Sequence, residues 1–211
     1  MKDTLQKDYF EKEAIYGASN YSPLPVVLEK GKGAYLWDID GNKYLDMMSA
    51  YSAVSHGHSH PQLVQTLHDQ ATKLAISSRA FYTEPFAGYL EKLSKISGFE
   101  AILPMNTGAE AVETAIKAAR RWGYFTKGIE ENKAEIIVAD GNFHGRTSTI
   151  VGFSSDAEYK KGFGPFGDGF ATADYCSNCL CDTPNCIKSI DSIKKLINNN
   201  TCAVLVEPIQ G

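Results

Sequence analysis

The sequence contains no apolar run long enough to cross a bilayer. Its longest, such as residues 203–206, fall far short of the ~20 residues that a helical span requires. It also has no surplus of positive charge: Lys plus Arg number 21 against 25 for Asp plus Glu, a formal charge of −4. That balance gives no support to a nucleic-acid-binding role. The first residues, Met1 to Glu13, lack an apolar signal core. Asp3, Asp8, Glu11 and Glu13 are out of place in an Arg-rich, acid-poor transit peptide, so a cytoplasmic setting is expected. There is no internal repeat and no low-complexity tract. The five cysteines are an odd number, four of them crowded between Cys176 and Cys186, unlike the spread pattern of a secreted disulfide scaffold.

What is present is ordinary for a globular protein: 43% hydrophobic and 22% charged residues, over 211 residues able to bury one or two cores. Residues 34–39 and 43–48 flank Asp40-Gly41-Asn42, a hairpin signal that predicts a short β-meander. Pro61 opens a helix with Leu63, Val64, Leu67, Ala71 and Leu74 on one face. A second helix is predicted over 85–97, using Phe86, Leu90, Leu93 and Ile96, with Gly98 as its stop.

Beyond these the pattern alternates. Residues 101–105 read as a strand and 108–125 as a helix with Val112, Ala115, Ile116, Ala119 and Trp122 inward. Residues 134–139 and 149–153 read as strands, 189–198 as a helix and 201–206 as a buried strand. Strands alternating with helices predict an α/β layer fold, a mostly parallel sheet flanked by helices. Ligands in such sheets bind beyond the carboxyl ends of the strands. The sequence stops at Gly211, straight after a fresh strand, which reads as an unfinished sheet.

Two motifs carry chemistry. Met105-Asn-Thr-Gly-Ala-Glu-Ala111 joins a strand to a helix, with Thr107 and Glu110 at capping-box spacing. A helix start offers unpaired N–H groups and the positive end of the dipole, and Gly108 lets an anion approach. The motif can be a phosphate seat or simply a capped helix; it is not a Walker loop, since no Gly-Lys-Ser/Thr follows. Asn142-Phe-His-Gly-Arg-Thr147 places an aromatic, an imidazole and a guanidinium in a loop after a strand, and an Arg there suits a carboxylate. An incidental surface loop is the bland alternative.

Together, residues 104–114, residues 141–147 and the closing Val206-Glu-Pro-Ile-Gln-Gly211 resemble the class III pyridoxal-phosphate-dependent aminotransferases. Tyr16-Gly-Ala-Ser-Asn-Tyr-Ser-Pro-Leu-Pro25, Ser49-Ala-Tyr-Ser-Ala-Val54 and Gly57-His-Ser-His-Pro61 lean the likeness toward family members that act on ornithine. The likeness extends over nearly the whole chain. It implies the N-terminal part of a fold-type I transferase: residues 1–60 contributing to a small domain, and 61–211 forming the first part of the large cofactor domain, incomplete at Gly211. It implies pyridoxal 5'-phosphate as cofactor, its phosphate on the N–H groups of Gly108 and Ala109, and its ring against Phe143. His144 stands where many relatives have a second aromatic. Arg146 is implied to take a substrate carboxylate, and Tyr21 and Tyr51 to line the ornithine site.

The implied reaction moves the δ-amino group of ornithine to 2-oxoglutarate, in a homodimer. The family's Schiff-base lysine and its pyridine-pairing aspartate lie downstream of Glu-Pro-Ile-Gln-Gly. The expectation is therefore that these 211 residues alone do not transaminate. Acetylornithine and 4-aminobutyrate are the sister substrates. A non-catalytic binding or regulatory protein is the rival from another class.

Two clusters invite a metal. His56, His58 and His60 alternate, but they sit in the Gly-His-x-His-Pro segment, which needs none in the family. Cys176, Cys179, Cys181 and Cys186 could hold zinc, though the spacing departs from paired C-x-x-C units; a loop with reduced thiols is the other reading. Tyr9, Phe10 and Trp37 are expected to be packing residues.

Overall fold

The computed structural model describes residues 3–175 and 187–210; Cys176, Cys179, Cys181 and Cys186 lie outside the described residues. The chain divides into two compact units, Met1–Tyr89 and Leu90–Gly211.

The first unit opens with α1 (Asp3–Tyr16), a charged helix that the apolar pattern does not reveal because it has no apolar stripe. Lys7 pairs with Glu11 and Lys12 with Asp8 at i,i+4 spacing. An antiparallel meander follows, β1 (Leu28–Lys32), β2 (Tyr35–Asp38) and β3 (Lys43–Leu45), with Leu36 opposite Tyr44. Its turn is organised by Asp38, 1% exposed. That carboxylate accepts from the N–H groups of Asp40 (3.0 Å) and Asn42 (2.8 Å), Asn42 Nδ2 (2.8 Å) and Tyr44 Oη (2.7 Å). Burial alone would raise the Asp38 pKa; the hydrogen bonds from Asn42, Tyr44 and Asp40 outweigh it and hold the group below the usual carboxylate range.

Next come α2 (Ser49–Ser52), a single turn, then α3 (Pro61–Leu74) and α4 (Glu84–Ser97), which runs across the division between units. Pro61 is the first residue of α3 and Gly98 (φ 76°) ends α4, as the sequence predicts. Their apolar faces are not buried: Leu63 is 53%, Leu67 71% and Ile96 72% exposed. Tyr9 and Phe10, expected to pack, are likewise exposed. Among the described residues, every buried apolar side chain belongs to the second unit.

That unit is built on a parallel sheet in the order β5-β4-β6, from β4 (Glu135–Ala139), β5 (Phe170–Ala173) and β6 (Thr201–Leu205). β4 is central, and its residues 136–139 are each 1% exposed or less. Ile136 and Val138 share one pleat face and form the core with Ile116 of α5 (Gly108–Trp122) and Ile150 and Phe153 of α6 (Ser148–Phe153). α5 continues into a π-helical turn, Gly123–Lys127, whose Lys127 donates to the Thr201 carbonyl (2.7 Å). The short α7 (Ala157–Lys160) precedes β5, and α8 (Ile187–Leu196) connects β5 to β6.

Several expectations are corrected. Residues 149–153 are helical, not a strand: Thr147 accepts from the Ile150 N–H and caps α6, so the β-branched run is wound and still buried. Residues 101–105 form no strand and pair with none among the described residues. Ala115 faces outward and Trp122 is 49% exposed, because Ile116 and its helical neighbours point at the sheet instead. β5 was not foreseen. β6 is partly exposed rather than buried, since it is an edge strand of the described sheet.

Candidate functional site

The site in the second unit begins where α5 starts. Thr107 Oγ1 accepts from the Glu110 N–H (3.1 Å), while Glu110 Oε2 accepts from the N–H groups of Asn106 (3.0 Å) and Thr107 (3.2 Å). The capping box thus satisfies the donors on either side of Gly108 and Ala109, whose own N–H groups meet no partner among the described residues. A Cβ built on Gly108 would meet nothing within 4 Å. Its backbone is helical, so glycine matters here for the open approach it leaves rather than for its conformation.

The loop after β4 lies against that helix start. Gly145, at φ +126°, would place a Cβ 3.1 Å from Ala109 Cβ and 3.2 Å from Ile150 Cδ1, so only glycine lets the loop pack there. Thr147 Oγ1 donates to Glu113 of α5 (2.5 Å), a second tie between loop and helix. Asn142 is buried, its Nδ2 donating to the Ala139 carbonyl (2.6 Å).

The segment after β6 braces the same loop. Phe143 N–H donates to Glu207 (3.3 Å), Gln210 Nε2 donates to the Asp140 carbonyl (2.8 Å), and Tyr175 Oη donates to the Glu207 carbonyl (3.3 Å). The sequence motifs give Glu207 and Gln210 no role of their own. Their presence in the closing motif was the only signal, because these contacts join positions more than sixty apart in the chain.

Phe143 is half exposed and meets Tyr159 edge-on at 6.1 Å. The Arg146 guanidinium stands 5.8 Å from the Phe143 ring centre and 5.7 Å from that of Tyr159. It borders a cleft of about 250 Å³ with Ser148, Val151, Glu158, Tyr159 and Phe163. Arg146 makes no ion pair among the described residues, so its forked donors are available to a carboxylate. His144 packs beside Phe153 (6.0 Å), and its Nε2 is buried without a hydrogen-bond partner. Burial pushes the His144 pKa down, against the opposing pull of the Glu207 carboxylate. Free N–H groups, an exposed aromatic face and a half-buried imidazole suit a planar ligand that carries an anion.

In the first unit, Tyr21 Oη and Tyr51 Oη lie 3.0 Å apart. Tyr51 sits in α2, where Ser49, Ala50, Tyr51 and Ser52 have φ between 47° and 69°. That is a left-handed turn without glycine, costing about 1–2 kcal/mol per residue. Strain of this kind persists where surrounding contacts enforce it, commonly at binding sites.

The family model described as aminotransferase class-III matches residues 16–211. An ornithine aminotransferase 2 from Staphylococcus aureus is 54% identical over 208 residues, covering 99% of this chain and 50% of that protein. The chain therefore spans about half the length of the curated relatives it matches. The structure of the ornithine aminotransferase from Toxoplasma gondii, with pyridoxal phosphate at partial occupancy in its active site, superposes with a TM-score of 0.89 at 37% identity. It covers 98% of this chain and 46% of that one. An acetylornithine aminotransferase from Elizabethkingia anophelis gives 0.76 at 42% identity, covering 98% of this chain and 45% of that one.

Proposed function

The chain belongs to the class-III aminotransferases, and on that footing we propose that the protein, with pyridoxal phosphate, transfers the δ-amino group of ornithine to 2-oxoglutarate. The products are glutamate 5-semialdehyde and glutamate. The observation that carries this reading is the packing of the Phe143–Arg146 loop across the first turn of α5, through Gly145 on Ala109. It brings open N–H groups, an aromatic face and a guanidinium into one place.

The cofactor's contribution, when bound, is an electron sink for a substrate carbanion. The chain's own residues bind and orient. The N–H groups of Gly108 and Ala109 hold the phosphate at the positive end of α5. Phe143 lies against the ring, and His144, packed beside Phe153, stands at the position of the second aromatic contact. Arg146 grips a carboxylate with two parallel hydrogen bonds. The hydroxyls of Tyr21 and Tyr51 receive the polar end of ornithine, which is why we favour ornithine over its acetylated relative or 4-aminobutyrate. No lysine of this chain is given the covalent role. Residues 1–60 contribute to the small domain and 61–211 form the first part of the large cofactor domain of a homodimer.

The test is a substrate panel with the complete protein: ornithine, N-acetylornithine and 4-aminobutyrate, each with 2-oxoglutarate. A kcat/KM for ornithine about tenfold or more above the others is expected. Preference for either of the others would reassign the substrate. Turnover of none would reject the enzymatic reading in favour of a binding or regulatory role.

A further inference from the structure

We propose that Asp46 and His58 form a prop that holds the left-handed turn α2 and thereby sets the position of the Tyr51 hydroxyl. This rests on the reading that Tyr51 contacts the substrate. Both are positioning residues, since neither is placed at the reacting atoms.

The contacts form a continuous chain. Asp46 Oδ1 accepts from the N–H groups of Met48 (3.0 Å) and Ser49 (2.9 Å), the two donors that lead into the turn. Asp46 Oδ2 meets His58 Nε2 at 2.6 Å, with only 9% and 20% of the two side chains exposed. His58 is itself anchored to the meander: its N–H donates to the Gly33 carbonyl (2.8 Å) and its carbonyl accepts from the Gly33 N–H (3.0 Å). A Cβ on Gly31 would stand 2.8 Å from His58 Cβ and Cγ, so β1 is hollowed to seat the ring.

A turn of four residues in the left-handed region is not maintained by its own conformational preference. It needs an external tie at its entrance, and Asp46 supplies one. A carboxylate free to rotate would bond its own backbone less firmly than one clamped from behind. The His58 hydrogen bond is also the largest cause of the lowered Asp46 pKa, followed by the Ser49 N–H. The acid is therefore ionised and a strong acceptor at neutral pH. The ends of the chain of contacts are thus a rigid meander and the Tyr51 side chain, which meets Tyr21.

The test is a double-mutant cycle in the complete protein with bound pyridoxal phosphate. His58→Ala is expected to lower kcat/KM for ornithine by about tenfold, the scale of one charge-assisted hydrogen bond, and to leave kcat/KM for 2-oxoglutarate unchanged. In a Tyr51→Phe background the same substitution is expected to add nothing. His58→Gln, whose amide reaches the position of Nε2, is expected to restore most of the loss. If His58→Ala does not fold, His58→Asn, whose amide falls short of Asp46, takes its place.

Effects of the two substitutions that simply add, or a loss that strikes both substrates equally, would overturn the proposal. If Tyr51→Phe itself leaves ornithine turnover unchanged, the substrate reading is what fails. Hydrogen exchange at the Met48 and Ser49 amides then judges the prop alone. Faster exchange in His58→Ala, restored in His58→Gln, supports it; unchanged exchange rejects it.

Discussion

Gly145 stands where any side chain would press on Ala109: a Cβ there would lie 3.1 Å from Ala109 Cβ, on a backbone at φ +126°. This contact is what couples the loop after β4 to the start of α5. Gly145→Ala therefore meets two obstacles, a conformation reserved for glycine and a neighbour that belongs to a helix. The conformational part alone is about 1–3 kcal/mol. The expected outcome is a loss of roughly tenfold or more in pyridoxal phosphate affinity, read by titrating the cofactor's absorbance into the complete protein. Unchanged affinity would show that the loop does not form the seat.

Arg146 is expected to recognise a carboxylate by geometry rather than by charge alone. Arg146→Lys keeps the charge and loses the fork. KM for 2-oxoglutarate should rise by about ten- to a hundredfold, the scale of one charge-assisted hydrogen bond. Steady-state kinetics with both substrates varied would check this. A KM unaltered by the lysine variant would remove Arg146 from carboxylate binding.

Ile136 lies at the centre of β4, 1% exposed and in contact with the core shared by α5 and α6. Ile136→Ala should destabilise by about 2–5 kcal/mol, because the surrounding side chains close only partly over the space left. Denaturant unfolding reports it as a lower midpoint with little change of slope. Val206→Ala, at a site 41% exposed, should cost far less.

His144 sets a pH dependence whose sign follows from its burial. Its folded pKa lies below the ordinary histidine value of about 6.5. In the window between the two, the unfolded chain binds more protons, so stability rises with pH. The contribution is fully present above the ordinary value and is lost as pH falls from there through the folded pKa. Thermal unfolding of His144→Gln should show a flatter profile over this range than the parent. An equal slope in both proteins would mean that His144 does not titrate across unfolding.

How much of this was legible in the sequence depends on how local the cause is. The hairpin around Asp40-Gly41-Asn42 was, because Asp38 gathers donors only two to six residues away. The start of α5 was, because Thr107 and Glu110 satisfy each other within one turn. The helix over Ser148–Phe153 was not: Ile150 and Val151 have strand propensity, and one cap at Thr147 with burial against Ile116 and Val138 overrides it. α1 was missed for the opposite reason, since a helix with no apolar face has no period to detect.

The sequence by itself determined the capped helix start, the hairpin and membership of the class-III aminotransferases, since each depends on residue order within short windows or along matched motifs. Tertiary structure alone decided that Gly145 rests on Ala109, that Glu207 and Gln210 brace the loop, and that Asp46 and His58 stand behind the turn bearing Tyr51. The physical reason is the same in each case. These contacts join positions from twelve to seventy apart in the chain, and steric fit and hydrogen-bond geometry between such positions exist only after the backbone has been brought round.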